Sequence, residues 1–135
     1  MGFSQEGHLI IGIGCDIADI ERIETTLERF GDNFLKHILS DFERTQIHGP
    51  KATFLAGRFA AKEACAKAFG TGFSQGLSMP QIEVTNDERG RPSLIFQGEA
   101  QVLAKHLGVR RSFLSISHER KFAVAYVVLE GDLGC

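Results

Sequence analysis

The most unusual apolar pattern in the chain is the segment 54–69, FLAGRFAAKEACAKAF. At about 100° per residue its Phe, Leu, Ala and Cys side chains fall all the way round a helical wheel, which predicts a helix buried on every side. Ahead of it, residues 9–17 (LIIGIGCDI) form a short β-branched run that reads as a buried strand. Strict alternation puts Ile10, Gly12, Gly14 and Asp16 on one face, bare backbone that leaves room beside the carboxylate. Residues 19–30 carry Ile20, Ile23 and Leu27 at helical spacing and predict an amphipathic helix with a wet side. Two short helices are expected over 34–39 and 41–47, with Ser40 and Asp41 as start signals. Beyond the glycines that stop the central helix, 81–85 and 92–97 pair as a hairpin, 99–107 is a helix ended by Gly108, and 112–116 and 122–129 make a second hairpin. Alternation in that last strand predicts both of its faces covered.

Four charged residues, Arg58, Lys62, Glu63 and Lys67, sit inside the apolar central helix. A buried charge without a partner is costly, so each needs one. Arg58 and Lys62 project within roughly 40° of each other, as do Glu63 and Lys67, because each pair is spaced by about one turn. An ordinary surface salt bridge between Glu63 and Lys67 contributes only about 0.2–0.5 kcal/mol. The apolar setting instead suggests a carboxylate beside three cations, a set that suits a divalent cation with a phosphorylated ligand. Asp16 has two uses open to it, as the cap of the following helix or as a chemical group. The Gly12-Ile13-Gly14 run lacks the third glycine of a dinucleotide fingerprint. His118 reads as a turn histidine bonded to backbone, and His37 and His48, without partners at ligand spacing, read as surface residues.

A length of 135 residues fits one domain, small enough that joining other subunits would help bury its apolar surface. Residues 1–8 read as a frayed leader and 9–135 as the domain. The net charge of −2 gives no basic footprint for nucleic acid, and no apolar run approaches the length that spans a membrane. No secretion or lipidation signal is read at the start. Cys15, Cys65 and Cys135 make neither an even disulfide set nor a metal-ligand spacing, which favours a reducing, cytoplasmic setting. Cys15 and Cys65 are expected in the core and Cys135 as an exposed terminal thiol.

Taken together, IIGIGCDIADIERIE at 10–24, FLAGRFAAKEACAKAFGTG at 54–72, GRP at 90–92 and SISH at 115–118 resemble the holo-acyl-carrier-protein synthase family. The likeness runs from Leu9 to Glu130, with the four blocks in order and at ordinary spacing. It implies transfer of 4'-phosphopantetheine from coenzyme A to a serine of apo-acyl carrier protein, with magnesium required and adenosine 3',5'-bisphosphate released. It also implies an α+β fold, an antiparallel sheet packed against a long central helix, in a homotrimer whose sites lie between subunits. By the family's pattern Asp16 and Glu63 are magnesium ligands, and Lys67 faces the diphosphate and is a candidate base. Arg58, Lys62 and His118 hold the phosphates of coenzyme A, with the 3'-phosphate facing Arg58 and His118, and Arg22 meets the acidic carrier. The chain departs from the larger, monomeric transferases at Ala18, where they carry a second carboxylate, and in its longer leader. A non-catalytic module that binds coenzyme A is the alternative reading.

The chemistry implied by the resemblance builds negative charge on diphosphate oxygens and must remove a proton from a weakly acidic serine. Magnesium favours oxygen ligands and keeps several waters, so two carboxylates and a diphosphate oxygen make a reasonable open shell. Lys67 serves either as an ammonium that neutralises the phosphate or, if neighbouring cations lower its pKa, as the base.

Overall fold

The computed structural model describes residues 7–132. The expected leader therefore lies outside the described residues except at Gly7 and His8, and so does Cys135. Strand β1 (His8–Asp19) leads into helices α1 (Ile20–Phe30), α2 (Asp32–Ile38) and α3 (Asp41–Arg44), then the central helix α4 (Lys51–Phe69). A short 3-10 turn (Met79–Gln81) precedes strands β2 (Ile82–Asn86) and β3 (Pro92–Phe96), helix α5 (Gly98–Leu107), and strands β4 (Arg111–His118) and β5 (Phe122–Asp132). Both expected hairpins form: β2 pairs with β3, and β4 pairs with β5. β1 returns antiparallel along β5, giving a three-stranded sheet in the order β1-β5-β4.

α4 is buried on nearly every side, as its apolar wheel predicts. It starts at Lys51 because Pro50, whose ring already holds a φ compatible with a helix start, supplies the carbonyl that receives the Phe54 N–H at 3.1 Å. It ends where Gly70, at φ 82°, turns left-handed and donates its N–H to Ala66 and Lys67. The helix lies directly on the glycines of β1. A Cβ on Gly12 would sit 1.8 Å from the Ala68 carbonyl oxygen, and one on Gly14 would sit 1.7 Å from that of Ala64. The bare face of β1 is thus the seat of α4, not open space beside the carboxylate.

The sheet has one covered face and one open one. Facing α4, the residues in register are Gly14–Val127–Leu114, Asp16–Ala125–Ile116 and Ala18–Ala123–His118. On the far side lie Ile13–Val128–Phe113, Cys15–Tyr126–Ser115 and Ile17–Val124–Ser117. Ile13 and Ile17 are each 63 % exposed and Tyr126 55 % exposed, so the expectation that both faces of β5 are covered fails for the single chain. Cys15 belongs to this open face and is exposed, not a core residue, whereas Cys65 is buried. Among the described residues no helix is long and apolar enough to cross a membrane.

Candidate active site

β1 runs three residues past Asp16, and it is Asp19 that caps α1, its Oδ1 accepting from the N–H groups of Glu21 at 3.0 Å and Arg22 at 3.3 Å. Asp16, relieved of the capping role, lies mid-strand on the α4 side of the sheet. There it meets the last turns of α4. Lys67 Nζ donates to Asp16 Oδ1 at 3.0 Å and to the Cys15 carbonyl at 2.9 Å. Glu63, one turn earlier, is partly buried, and its carboxyl is pushed up first by that burial and then by the Asp16 charge, with Lys67 opposing. Two carboxylates that repel across a strand–helix seam, with oxygen donors only, form a pair that a hard divalent cation would relieve. Among the described residues no third acidic, histidine or cysteine side chain joins them, so further ligands would be water or substrate.

The hydrogen bond to Asp16, and then its charge, hold Lys67 above the ordinary lysine range. That direction favours the ammonium role for Lys67. Asp19 commits its Oδ1 to the cap, and Ala18, where the larger transferases carry a second carboxylate, is buried in the core.

Arg58 and Lys62 do not join this cluster. Along a helix at about 100° per residue they point about 140° away from Glu63 and Lys67, and the carboxylate they face is Glu43. The picture of one carboxylate beside three cations is thereby corrected. Arg58 stacks its guanidinium on Phe54, 4.1 Å from the ring centre, and donates from one terminal nitrogen to Asn86 Oδ1 at 2.7 Å. Its Nε is buried without a hydrogen-bond partner among the described residues. The Arg58 side chain lines a cleft of about 170 Å³ together with His48, Thr53, Gly57, Ile116 and His118. His118 closes β4 as a strand residue, paired with Ala123, not as a turn residue. Register places it on the same sheet face as Asp16, with β5 between their strands.

Lys62 is engaged within the fold and does not reach that cleft. Its side chain is 0 % exposed, and its ammonium donates to Glu43 Oε1 at 2.6 Å, the Ile38 carbonyl at 2.7 Å and the Met79 carbonyl at 3.0 Å. An ammonium has three donors, and all three are used, so none is left for a phosphate of coenzyme A. Burial lowers its proton affinity while Glu43 raises it, and burial is the larger influence. Sequence reasoning missed Asn86 and Glu43. Asn86 sits in what reads as an ordinary turn, and the Ser40-x-x-Glu43 spacing that signals a capping box gave no sign that the glutamate is buried.

Arg22 is exposed on α1 and makes no ion pair among the described residues. It borders a cleft of about 310 Å³ with Ile17, Ile23, Thr26, Phe34 and Phe59.

Residues 12–127 match the model of the 4'-phosphopantetheinyl transferase superfamily. The chain belongs to that superfamily. It is 49 % identical over 124 residues to holo-[acyl-carrier-protein] synthase of Vibrio cholerae, covering 90 % of this chain and 98 % of that one. The crystal structure of the Neisseria meningitidis synthase superposes with a TM-score of 0.85 at 36 % identity, covering 90 % of this chain and 98 % of that one. The Bacillus anthracis synthase, solved in complex with coenzyme A, superposes with a TM-score of 0.73 at 45 % identity, covering 90 % of this chain and 97 % of that one. The family resemblance drawn from the four sequence blocks is thus borne out, as is the α+β fold with a sheet packed on the central helix.

Proposed function

We propose that the chain transfers 4'-phosphopantetheine from coenzyme A to a serine hydroxyl of apo-acyl carrier protein, with residues 9–135 acting as one domain. The serine oxygen forms a bond to the pantetheine-side phosphorus, the bridging P–O bond breaks, and adenosine 3',5'-bisphosphate leaves. The observation that carries the reading is the meeting of Asp16, Glu63 and Lys67 across the β1–α4 seam.

Asp16 and Glu63 are the residues that would hold magnesium, and both are partly buried on rigid elements. When bound, that ion supplies charge stabilisation for the diphosphate. Lys67, held protonated by Asp16, offers its remaining donor capacity to the same oxygens. Glu63 or a nearby water would receive the serine proton. On the other side of α4, the Arg58 guanidinium and His118 supply donors for the 3'-phosphate.

We also propose a homotrimer with sites between subunits. The open sheet face carries Ile13, Ile17, Phe113, Phe122 and Tyr126, an apolar surface of the kind that marks an interface. The two half-sites lie on opposite flanks of α4, whose body with side chains is about 10 Å across. A ligand that used both halves of one chain would have to wrap around the helix. One that used half of each of two neighbouring chains would not. Arg22, free beside an apolar cleft, fits an acidic carrier.

The test mixes the protein with apo-carrier, coenzyme A and magnesium and reads the carrier by mass spectrometry. The expected result is one phosphopantetheine on one serine, lost in Asp16→Asn and Glu63→Gln. Coenzyme A binding that needs no magnesium and yields no modified carrier would refute transfer.

A further inference from the structure

Glu43 is 1 % exposed, and both of its carboxylate oxygens are occupied. Oε1 accepts from Lys62 Nζ at 2.6 Å and from the Ser40 N–H at 2.8 Å, and Oε2 accepts from the Val84 N–H at 2.8 Å. One carboxylate thus joins α4, the α2–α3 corner and β2. Ser40 Oγ adds a second tie to β2, donating to Glu83 Oε1 at 2.6 Å.

The two elements that Glu43 joins are the two that carry the Arg58 clamp. Lys62 lies one turn beyond Arg58 on α4, and Val84 lies two residues before Asn86 on β2. Asn86 Oδ1 fixes the guanidinium at 2.7 Å, while Asn86 Nδ2 donates to the Gly90 carbonyl at 2.9 Å and so braces the clamp against the β2–β3 turn. We infer that Glu43 and Lys62 are positioning residues for anion recognition: their buried pair sets the distance between α4 and β2 and so holds the Arg58 guanidinium at the cleft it shares with His118.

The inference rests on the proposed reading of that cleft as the 3'-phosphate site. Two further facts support it. The Glu43 charge acts on Arg58 as well as on Lys62. A buried ion pair often adds little net stability over apolar side chains of the same volume, which leaves room for a geometric role.

The full-length chain would be compared as parent, Arg58→Met, Asn86→Ala and the double variant Glu43→Gln/Lys62→Met, which leaves no unpaired buried charge. KM and kcat are measured with coenzyme A and with 3'-dephospho-coenzyme A, and thermal melting is followed in parallel. The expected result for the folded double variant is a KM for coenzyme A raised about tenfold, the equivalent of one charged contact. Its kcat at saturation should stay within about twofold, with discrimination against the dephospho form correspondingly reduced; a purely structural pair would lower melting and leave that discrimination intact.

If Arg58→Met leaves discrimination unchanged, the phosphate reading of the cleft fails. If Arg58→Met and Asn86→Ala reduce it but the folded double variant does not, the positioning inference alone fails. Should the double variant not fold, Glu43→Asp, which keeps the charge and shortens its reach, is read the same way, and failure of both to fold overturns the inference in favour of a purely structural pair.

Discussion

The packing of the β1 glycines against α4 gives a sharp test of how the fold builds the site. In Gly14→Ala the new Cβ would lie 1.7 Å from the Ala64 carbonyl oxygen, 2.7 Å from its carbonyl carbon and 3.0 Å from the Ala68 nitrogen. A close C···O contact needs about 3.3 Å, so helix and strand must part by about 1.5 Å. All three obstructing atoms are backbone, so no rotamer change relieves the clash. Overpacking of this kind costs about 1–3 kcal/mol, which for a chain of this size lowers Tm by roughly 3–12 °C. The shift also falls on the chemistry, because Ala64 adjoins Glu63 and Gly14 lies two residues from Asp16. A misplacement of about 1 Å at reacting groups lowers turnover by about a hundredfold. The assay is chemical denaturation of parent and variant at equal concentration, paired with magnesium-dependent carrier modification measured well below the melting point. A variant with parental stability and parental turnover would refute the close-packed seam as the device that brings the two carboxylates together.

Lys67→Met should lower turnover by orders of magnitude while affecting coenzyme A binding less, read by steady-state kinetics beside calorimetric binding; parental turnover would remove Lys67 from the mechanism. Ile13→Lys places a charge in the middle of the open sheet face, and light scattering should then show loss of the proposed trimer at micromolar concentration. Arg22→Glu should weaken the apparent affinity for carrier at low ionic strength, with the difference shrinking as salt rises. Burial pushes the Cys65 thiol up to about 12, so peptide mapping should find it unalkylated in the folded protein at pH 8 and modified once denatured. Because this group holds its proton more tightly folded than unfolded, its contribution to stability is intact below the unfolded thiol pKa of about 8.5 and is lost as pH rises toward 12.

Much of the architecture was legible in the sequence. The apolar wheel of 54–69 demanded a helix enclosed by other structure, the two hairpins followed from alternation and turn residues, and Glu63 and Lys67 were marked by charge in apolar surroundings, while Asp16 was singled out by the family resemblance. These are local properties, determined by the spacing of side chains along a helix or strand. What a charge touches is decided elsewhere in the chain. Lys62 looks like Arg58 on the wheel, yet one is saturated by Glu43, Ile38 and Met79 and the other keeps a free buried donor. The difference comes from residues about 20 positions away on either side, and no periodicity reports it. The glycines of β1 could be placed on one face from sequence, but whether that face held space or a helix depended on how closely α4 approaches. Likewise the capping of α1 passed from Asp16 to Asp19 because β1 stays paired with β5 as far as Phe122, a pairing fixed by a strand more than 100 residues away. The sequence by itself determined which segments coil and which extend, since those choices depend on neighbours a few residues apart. Only the tertiary structure decided which charges were satisfied inside the fold and which were left for a ligand, because that depends on contacts between distant parts of the chain.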